Sequence, residues 1–85
     1  GKPSPDPYLF ALTKYNLLPD KCIAFEDTKN GIISAKRAGL FCTAISFFVD
    51  NDDTLRKADI IYNNFNEIEL NGLINYKDSK VQWNF

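Results

Sequence analysis

Short apolar runs alternate with amphipathic stretches along this chain, and the alternation predicts its secondary structure. Continuously apolar runs bounded by polar turns occupy residues 22–25, 42–49 and 58–62, which is the pattern of buried β-strands. Helical patterns precede, separate and follow these runs. Because parallel strands are joined by crossover connections, this order predicts a single α/β domain with a parallel sheet over residues 1–85.

Capping signals set the ends of the first helix, which we predict over residues 7–15. Asp6 can cap its amino end, since the proline after it suits the first helical position. Leu9 and Leu12 would then face the core. Asn16 tolerates the left-handed conformation that ends a helix.

The second helix, predicted over residues 29–38, has signals at both ends. Thr28 can cap it, and Gly39 supplies a left-handed position after its last turn. Its apolar residues recur at helical spacing and should lie on one buried face: Ile32, Ala35 and Ala38.

The C-terminal half carries weaker signals. Residues 50–53 read as a turn that starts a short helix through Lys57. A last helix should open with Asn66 as cap and Glu69 completing a capping box, while Phe65 packs on Leu70. Leu73 and Ile74 would extend its buried face. The final residues fit either a short strand or a tail.

Composition excludes several classes of protein. The chain has 85 residues, 45% of them hydrophobic, with ten basic against eleven acidic side chains and a net charge of −1. We therefore expect neither a nucleic-acid partner nor an anionic membrane surface, which would require a basic excess. No apolar run reaches the ~20 residues of a membrane span, and no signal peptide is evident, so the default compartment is the cytoplasm.

Three residue types sharpen this interpretation. Without histidine, the chain offers no imidazole base or metal ligand. Cys22 and Cys42 fit small buried hydrophobes better than a disulfide. Methionine is also absent, even at position 1, so we expect the chain to be cleaved or cut from a longer protein.

The stretch CIAFEDTKNG, residues 22–31, ends an apolar strand in two adjacent acids, Glu26 and Asp27. At ~4 Å and an effective dielectric constant of ~20, two like charges repel by ~4 kcal/mol, so water or a cation must screen them. Carboxylate oxygens without histidine or cysteine suit Mg²⁺. The alternative is a solvated strand end, where Glu26 pairs with a lysine and Asp27 caps the next turn.

The stretch GKPSPD, residues 1–6, places Lys2 between a glycine and two prolines. Prolines restrict the backbone, so such a loop can aim one cation at a phosphate. An exposed lysine in an ordinary turn is the alternative.

Together, GKPSPD, CIAFEDTKNG, AKRAGL (35–40) and ADIIYNNFNEI (58–68) resemble the haloacid dehalogenase superfamily, most closely its β-phosphoglucomutase and phosphoglycolate phosphatase branch. The resemblance extends from residue 1 to about residue 70. It implies a Rossmann-like three-layer α/β/α fold with a parallel sheet, of which this chain would be the C-terminal part of the core. The family's nucleophile motif and helical cap would be absent.

The resemblance also implies roles for individual residues. Lys2 would steady the phosphate, Asp27 would bind Mg²⁺, and Glu26 would be an outer metal ligand or would hold a metal-bound water. Three further residues would shape the loop and the helix start: Thr28, Asn30 and Gly31.

The implied function is that of a C-terminal fragment of a Mg²⁺-dependent phosphatase or phosphoglucomutase. It would act on a small phosphorylated metabolite through an aspartyl-phosphate intermediate, and this chain alone is expected to be inactive. The alternative is a truncated, non-catalytic binding module related to the family.

Residues 49–55, VDNDDTL, contain the pattern D-x-D-x-T and raise the alternative of a permuted nucleophile at Asp50 or Asp52. The family pattern places an ordinary loop there, and acids in this number are common at helix starts. We favour the loop.

In the family fold, strand 22–26 lies beside the nucleophile strand. Without that strand it would be an exposed apolar edge. We therefore expect it to pair with the missing N-terminal part of the same protein, with the tail VQWNF, or with a second copy through self-association.

Overall fold

The structure is a computed structural model that describes residues 3–82. Lys2 and residues 83–85 of the tail VQWNF lie outside the described residues, as do the predictions that fall on them. Residues 78–82, for which a short strand or a tail was predicted, are helical. Six main elements follow one another, with single 3₁₀ turns at Pro19–Lys21, Leu55–Lys57 and Phe65–Glu67: α1 (Asp6–Lys14), β1 (Ile23–Glu26), α2 (Lys29–Arg37), β2 (Phe41–Ile45), β3 (Ile60–Tyr62) and α3 (Leu70–Gln82).

The three strands form one parallel sheet in the order β1-β2-β3. Ile23 pairs with Phe41 at the start of β1, and Thr43 pairs with Ile60 at the start of β3. The predicted parallel α/β sheet is thus confirmed. Within the described residues, β1 forms one edge of this sheet.

Alternate residues of the strands face opposite helical layers, as the twofold period of a strand requires. One face carries the main core together with α1, α2 and the 3₁₀ turn at 55–57: Leu12, Ala24, Ile32, Ala35, Ala38, Leu40, Cys42, Ala44 and Leu55. On the other face α3 packs against β2, where the rings of Phe41 and Tyr76 meet edge to face at 6.4 Å. The arrangement is therefore three-layered.

The second helix forms as its sequence predicts. The Thr28 side chain accepts a hydrogen bond from the Gly31 amide at 3.0 Å, and Gly39 adopts a φ of +83° after the last turn. The predicted apolar face is buried, with Ile32 and Ala35 at 0% exposure and Ala38 at 7%.

The first helix differs from the prediction at its amino end. Pro5 already has near-helical backbone angles, so α1 begins at Asp6, and Asp6 donates its own amide to Ser4 Oγ at 3.0 Å instead of capping. Leu12 is buried as expected, but Leu9 is 43% exposed because it lies at the margin of the face that the described residues cover. Asn16 has the predicted positive φ, at 54°.

The second strand is shorter than the apolar run that predicted it. β3 supplies backbone partners only as far as Tyr62, whose carbonyl accepts from the Ser46 amide at 2.8 Å. Beyond that point the chain turns, and the Val49 amide donates back to the Ser46 carbonyl at 3.1 Å. Phe47 and Phe48 are consequently 68% and 80% exposed rather than buried in a strand.

The start of the last helix also corrects the prediction. Glu67, not Glu69, reaches back to the chain, since its carboxylate accepts from the Asn63 amide at 2.7 Å and the Asn64 amide at 3.3 Å. This closes a 3₁₀ turn, and α3 begins only at Leu70. Glu69 instead accepts from the Gly72 amide at 2.5 Å. Of the predicted buried residues, Leu73 is buried, while Leu70 and Ile74 are 56% and 39% exposed.

Asp59 ties β2 to the segment before β3. Its carboxylate accepts from Lys36 Nζ at 2.7 Å and from the Cys42 amide at 2.8 Å, and Lys80 Nζ lies 3.5 Å away. Burial raises the pKa of Asp59, but these hydrogen bonds and positive charges outweigh burial and hold the pKa below its ordinary value of 3.8. The ionised carboxylate therefore stabilises the fold.

Replacing Asp59 with asparagine should lower the free energy of unfolding at pH 7 by about 1–3 kcal/mol, because charge-assisted hydrogen bonds are lost. Since the folded-state pKa lies below the unfolded value, the stabilisation is complete above pH 3.8 and is lost as pH falls through the folded-state pKa. Urea unfolding of the two proteins should thus differ at pH 7 and converge in acid. A gap that persists in acid would contradict this assignment.

None of the helices within residues 3–82 is long and apolar enough to cross a membrane.

Candidate active site

The two adjacent carboxylates lie where the sheet presents the ends of its strands. Glu26 is the last residue of β1, Asp27 follows it, and Thr28 caps α2 directly afterwards. In open parallel sheets, ligands bind outside the carboxyl ends of the strands. The backbone thus brings both carboxylates to that edge of the sheet.

The Glu26 carboxylate is held by a phenol from the first helix. The Tyr8 hydroxyl donates a hydrogen bond to Glu26 Oε2 across 18 residues of sequence. Burial, followed by this bond and the negative charge of Glu26, raises the pKa of the Tyr8 phenol above its ordinary value. The sequence also allowed a lysine as the partner of Glu26, but within the described residues its partner is this phenol.

Glu26 also lies directly against the first turn of α2. A Cβ atom added at Gly31 would lie 1.8 Å from Glu26 Oε1 and 3.0 Å from Thr28 Oγ1. The position is open to the carboxylate because glycine has no side chain. A negative charge at a helix amino terminus is also favoured by the helix dipole.

Asp27 is exposed and lines a shallow, mainly apolar pocket of about 280 Å³. Residues from the ends of the other two strands complete it: Ile45, Phe47, Phe48, Asn64 and Phe65. The rings of Phe47 and Phe48 meet edge to face at 4.7 Å. This aromatic wall was not predicted, because the phenylalanines after Ile45 belong to an apolar run with the pattern of a buried strand.

The remaining predicted site residues lie close by in the chain. Thr28 is engaged as the cap of α2, and Asn30 is exposed in its first turn. Lys2 lies outside the described residues, so its role beside the phosphate stays a prediction.

Asp50 and Asp52 approach α2 from the loop after β2. Lys29 Nζ lies 2.5 Å from Asp52 Oδ2 and 3.9 Å from Asp50 Oδ2. Asp52 Oδ1 also accepts from the Thr54 amide at 2.9 Å. The hydrogen bond from Lys29 and those from the backbone lower the pKa of Asp52. Asp52 therefore makes the contacts of a turn residue that starts a short helix.

The donor atoms at the strand end suit Mg²⁺. This ion binds through one or two carboxylates together with water and substrate phosphate, and Asp27 and Glu26 supply such carboxylates. Between residues 3 and 82, no three acidic or thiol side chains come together in a way that could enclose a metal. Further ligands could be water, phosphate, or backbone and side-chain oxygens of other kinds.

Comparisons with known proteins agree with this geometry. Residues 1–39 match the model of the haloacid dehalogenase-like hydrolases. The chain is 38% identical over 68 residues to validoxylamine A 7′-phosphate phosphatase of Streptomyces hygroscopicus subsp. limoneus, covering 80% of this chain and 32% of that protein.

Two solved structures share the fold. A HAD hydrolase of family IA, variant 3, from Entamoeba histolytica matches with a TM-score of 0.75 and 34% identity, over 92% of this chain and 36% of that one. β-Phosphoglucomutase from Clostridium difficile matches with a TM-score of 0.80 over 95% of this chain and 34% of that one, and its 23% identity supports the fold alone.

The chain spans about a third of the length of the curated relatives it matches. The adjacent carboxylates at the end of β1, the match of residues 1–39 to the family model and the relatives above 30% identity lead to one conclusion: the chain belongs to the haloacid dehalogenase-like hydrolase superfamily.

Proposed function

We propose that this chain is the metal-binding part of a Mg²⁺-dependent phosphatase or phosphoglucomutase. The substrate would be a small phosphorylated metabolite, and the reaction would pass through an aspartyl-phosphate intermediate. The observation that carries the proposal is the adjacent pair Glu26 and Asp27 at the carboxyl end of β1, followed at once by a capped helix. Relatives named as phosphatases of phosphorylated compounds support the same class of reaction.

The roles of the residues follow from their positions. Asp27, exposed at the strand end, would bind Mg²⁺ directly. Glu26 would be an outer ligand or would orient a metal-bound water. The ion, when bound, supplies positive charge to phosphoryl oxygens, and Lys2 would add a second cation on the same group. Phosphoryl transfer depends mostly on such positioning and charge stabilisation, so these groups account for half of a site.

The other half of the site is the aspartate nucleophile, and none of the residues given a role above can supply it. Asp52 is the second acid of the D-x-D-x-T pattern and is already engaged by Lys29 and by the Thr54 amide. We therefore propose that the 85-residue chain alone does not turn over substrate.

A non-catalytic binding module is the second candidate. It is favoured by the absence, between residues 3 and 82, of three clustered side chains able to hold a metal. Such a module would bind phosphate or a protein partner without chemistry.

We propose a β-strand as the partner of β1. Phe25 is 39% exposed on this strand, and a groove of about 350 Å³ beside it is lined by Ile23, Phe25, Leu70 and Ile74 among others. An exposed apolar strand edge invites pairing. The strand would come from the rest of the same protein or from a second copy through the edge of residues 22–26.

The proposed compartment is the cytoplasm. Cys22 and Cys42 are free thiols, which is consistent with a reducing environment.

One experiment separates these possibilities. The complete gene product and the 85-residue chain are each incubated with Mg²⁺ and a panel of phosphorylated sugars and phosphoglycolate, and released phosphate is measured. Native mass spectrometry of both samples reports strand-mediated assembly. We expect turnover by the gene product and none by the 85-residue chain. A gene product that releases no phosphate from any compound would favour the binding module.

A further inference from the structure

Tyr8 makes a contact that the roles assigned so far do not explain. It lies in the first turn of α1, and its half-buried ring packs against the core cluster. Its hydroxyl donates to Glu26 Oε2. A phenyl ring would fill the same core volume, so the hydroxyl has a consequence separate from packing.

Each carboxylate oxygen of Glu26 lies against a different part of the chain. Tyr8 donates a hydrogen bond to Oε2, while Oε1 lies over Gly31, where an added methyl group would force the carboxylate to move. A glutamate side chain has considerable rotamer freedom, and immobilising it costs conformational entropy. Here that freedom is removed before any ligand arrives.

The negative charge of Glu26 also stays available to attract a cation. Among residues 3–82 the ion pairs join Lys29, Lys36, Arg56 and Lys80 to other acids, and Glu26 takes part in none of them. Its partner is a neutral phenol, which orients the carboxylate without cancelling its charge. A half-buried carboxylate arranged in this way remains attractive to a cation.

We propose that Tyr8 is a positioning residue, which holds the Glu26 carboxylate in the orientation that the metal site requires. The inference rests on the proposed function, because it assumes that a metal binds at this strand end. The same bond ties the first turn of α1 to the end of β1.

A second tether holds the segment that precedes α1. Arg37 Nη1 donates to the Pro3 carbonyl at 2.6 Å. The residues that follow Lys2 in the sequence are thus attached to α2 through Arg37, while α1 is attached to β1 through Tyr8. Loss of the Tyr8 hydroxyl would release α1 from β1 but would leave the contact between Arg37 and Pro3 in place.

The test is Tyr8→Phe in the complete gene product, with the Mg²⁺ dissociation constant measured by calorimetry in the absence of substrate. Outer-shell partners of metal ligands typically contribute 10–100-fold to affinity, so we expect the dissociation constant to rise about 10-fold. Tyr15→Phe is the matched control, because Tyr15 is 65% exposed just beyond the same helix. Its Mg²⁺ affinity should equal that of the unmodified protein.

A double-mutant cycle with Glu26→Gln distinguishes positioning from a general structural effect. If Tyr8 acts through Glu26, Tyr8→Phe should cause no further loss of Mg²⁺ affinity in the Glu26→Gln background. Equal losses in both backgrounds would overturn the proposal, as would unchanged affinity for Tyr8→Phe in a gene product that binds Mg²⁺ and releases phosphate. An unmodified gene product without either property would instead overturn the proposed function, and the inference with it.

Discussion

Replacement of Asp27 by asparagine should reduce Mg²⁺-dependent phosphate release by the complete gene product at least about 100-fold. Asparagine preserves the size of the side chain but removes the charge that a hard cation requires. Loss of one preorganised electrostatic contact to a reacting group typically costs 10²–10³ in turnover. Asp27 is exposed, so the free energy of unfolding should change by less than about 0.5 kcal/mol.

Asp53→Asn is the matched control for this variant. Asp53 has a side chain 95% exposed and pairs with Arg56 on the surface at 2.6 Å, so its replacement should leave turnover unchanged. Asp50→Asn addresses the permuted nucleophile. Loss of activity in Asp50→Asn with retention in Asp27→Asn would contradict the assigned site.

Substitution of Gly31 by alanine should destabilise the fold by about 1–3 kcal/mol, the usual cost of inserting a methyl group into filled space. The new Cβ would lie 1.8 Å from Glu26 Oε1 and 2.4 Å from Glu26 Cδ. The carboxylate would have to move and release the Tyr8 hydroxyl. Urea unfolding at neutral pH measures the change, and Mg²⁺ affinity should fall with it.

Gly72→Ala provides the comparison within the same chain. Its Cβ would approach only Glu69 Oε2, at 2.8 Å, which is the end of an exposed and flexible side chain. Because alanine favours a helix over glycine by about 0.5–1 kcal/mol, this variant should be neutral or more stable. Equal stability of Gly31→Ala and Gly72→Ala would show that the carboxylate does not occupy the space over Gly31.

Sequence patterns predicted those elements whose signals are local. The second helix lies between Thr28 and Gly39, and each signal acts within one turn of the chain, so both of its ends were predicted to within a residue. Asn16 ended the first helix for the same reason. The parallel sheet followed from the order of strands and helices, which does not depend on accurate boundaries.

Errors arose where distant parts of the chain decide the outcome. The apolar run that begins at residue 42 contains no signal that β3 stops at Tyr62, and that limit leaves Phe47 and Phe48 on the surface. Leu9 has the spacing of a core residue, but the described residues cover it only in part and leave it 43% exposed.

The candidate site shows the same division. The adjacent acids at the strand end were evident from the sequence, since both are set by one short segment. The phenol that holds Glu26 belongs to Tyr8 in α1, 18 residues earlier in the chain. No pattern in the sequence joins Tyr8 to that carboxylate. Contacts of this kind depend on how α1 packs against β1.

Removal of divalent metal tests the central claim most directly. The complete gene product is treated with EDTA, dialysed, and assayed for phosphate release on its best substrate before and after Mg²⁺ is restored. The account predicts that activity disappears with the metal, returns with Mg²⁺ in the unmodified protein, and fails to return in Asp27→Asn. Phosphate release that continues undiminished without divalent metal would contradict the assignment of Glu26 and Asp27 to a magnesium site.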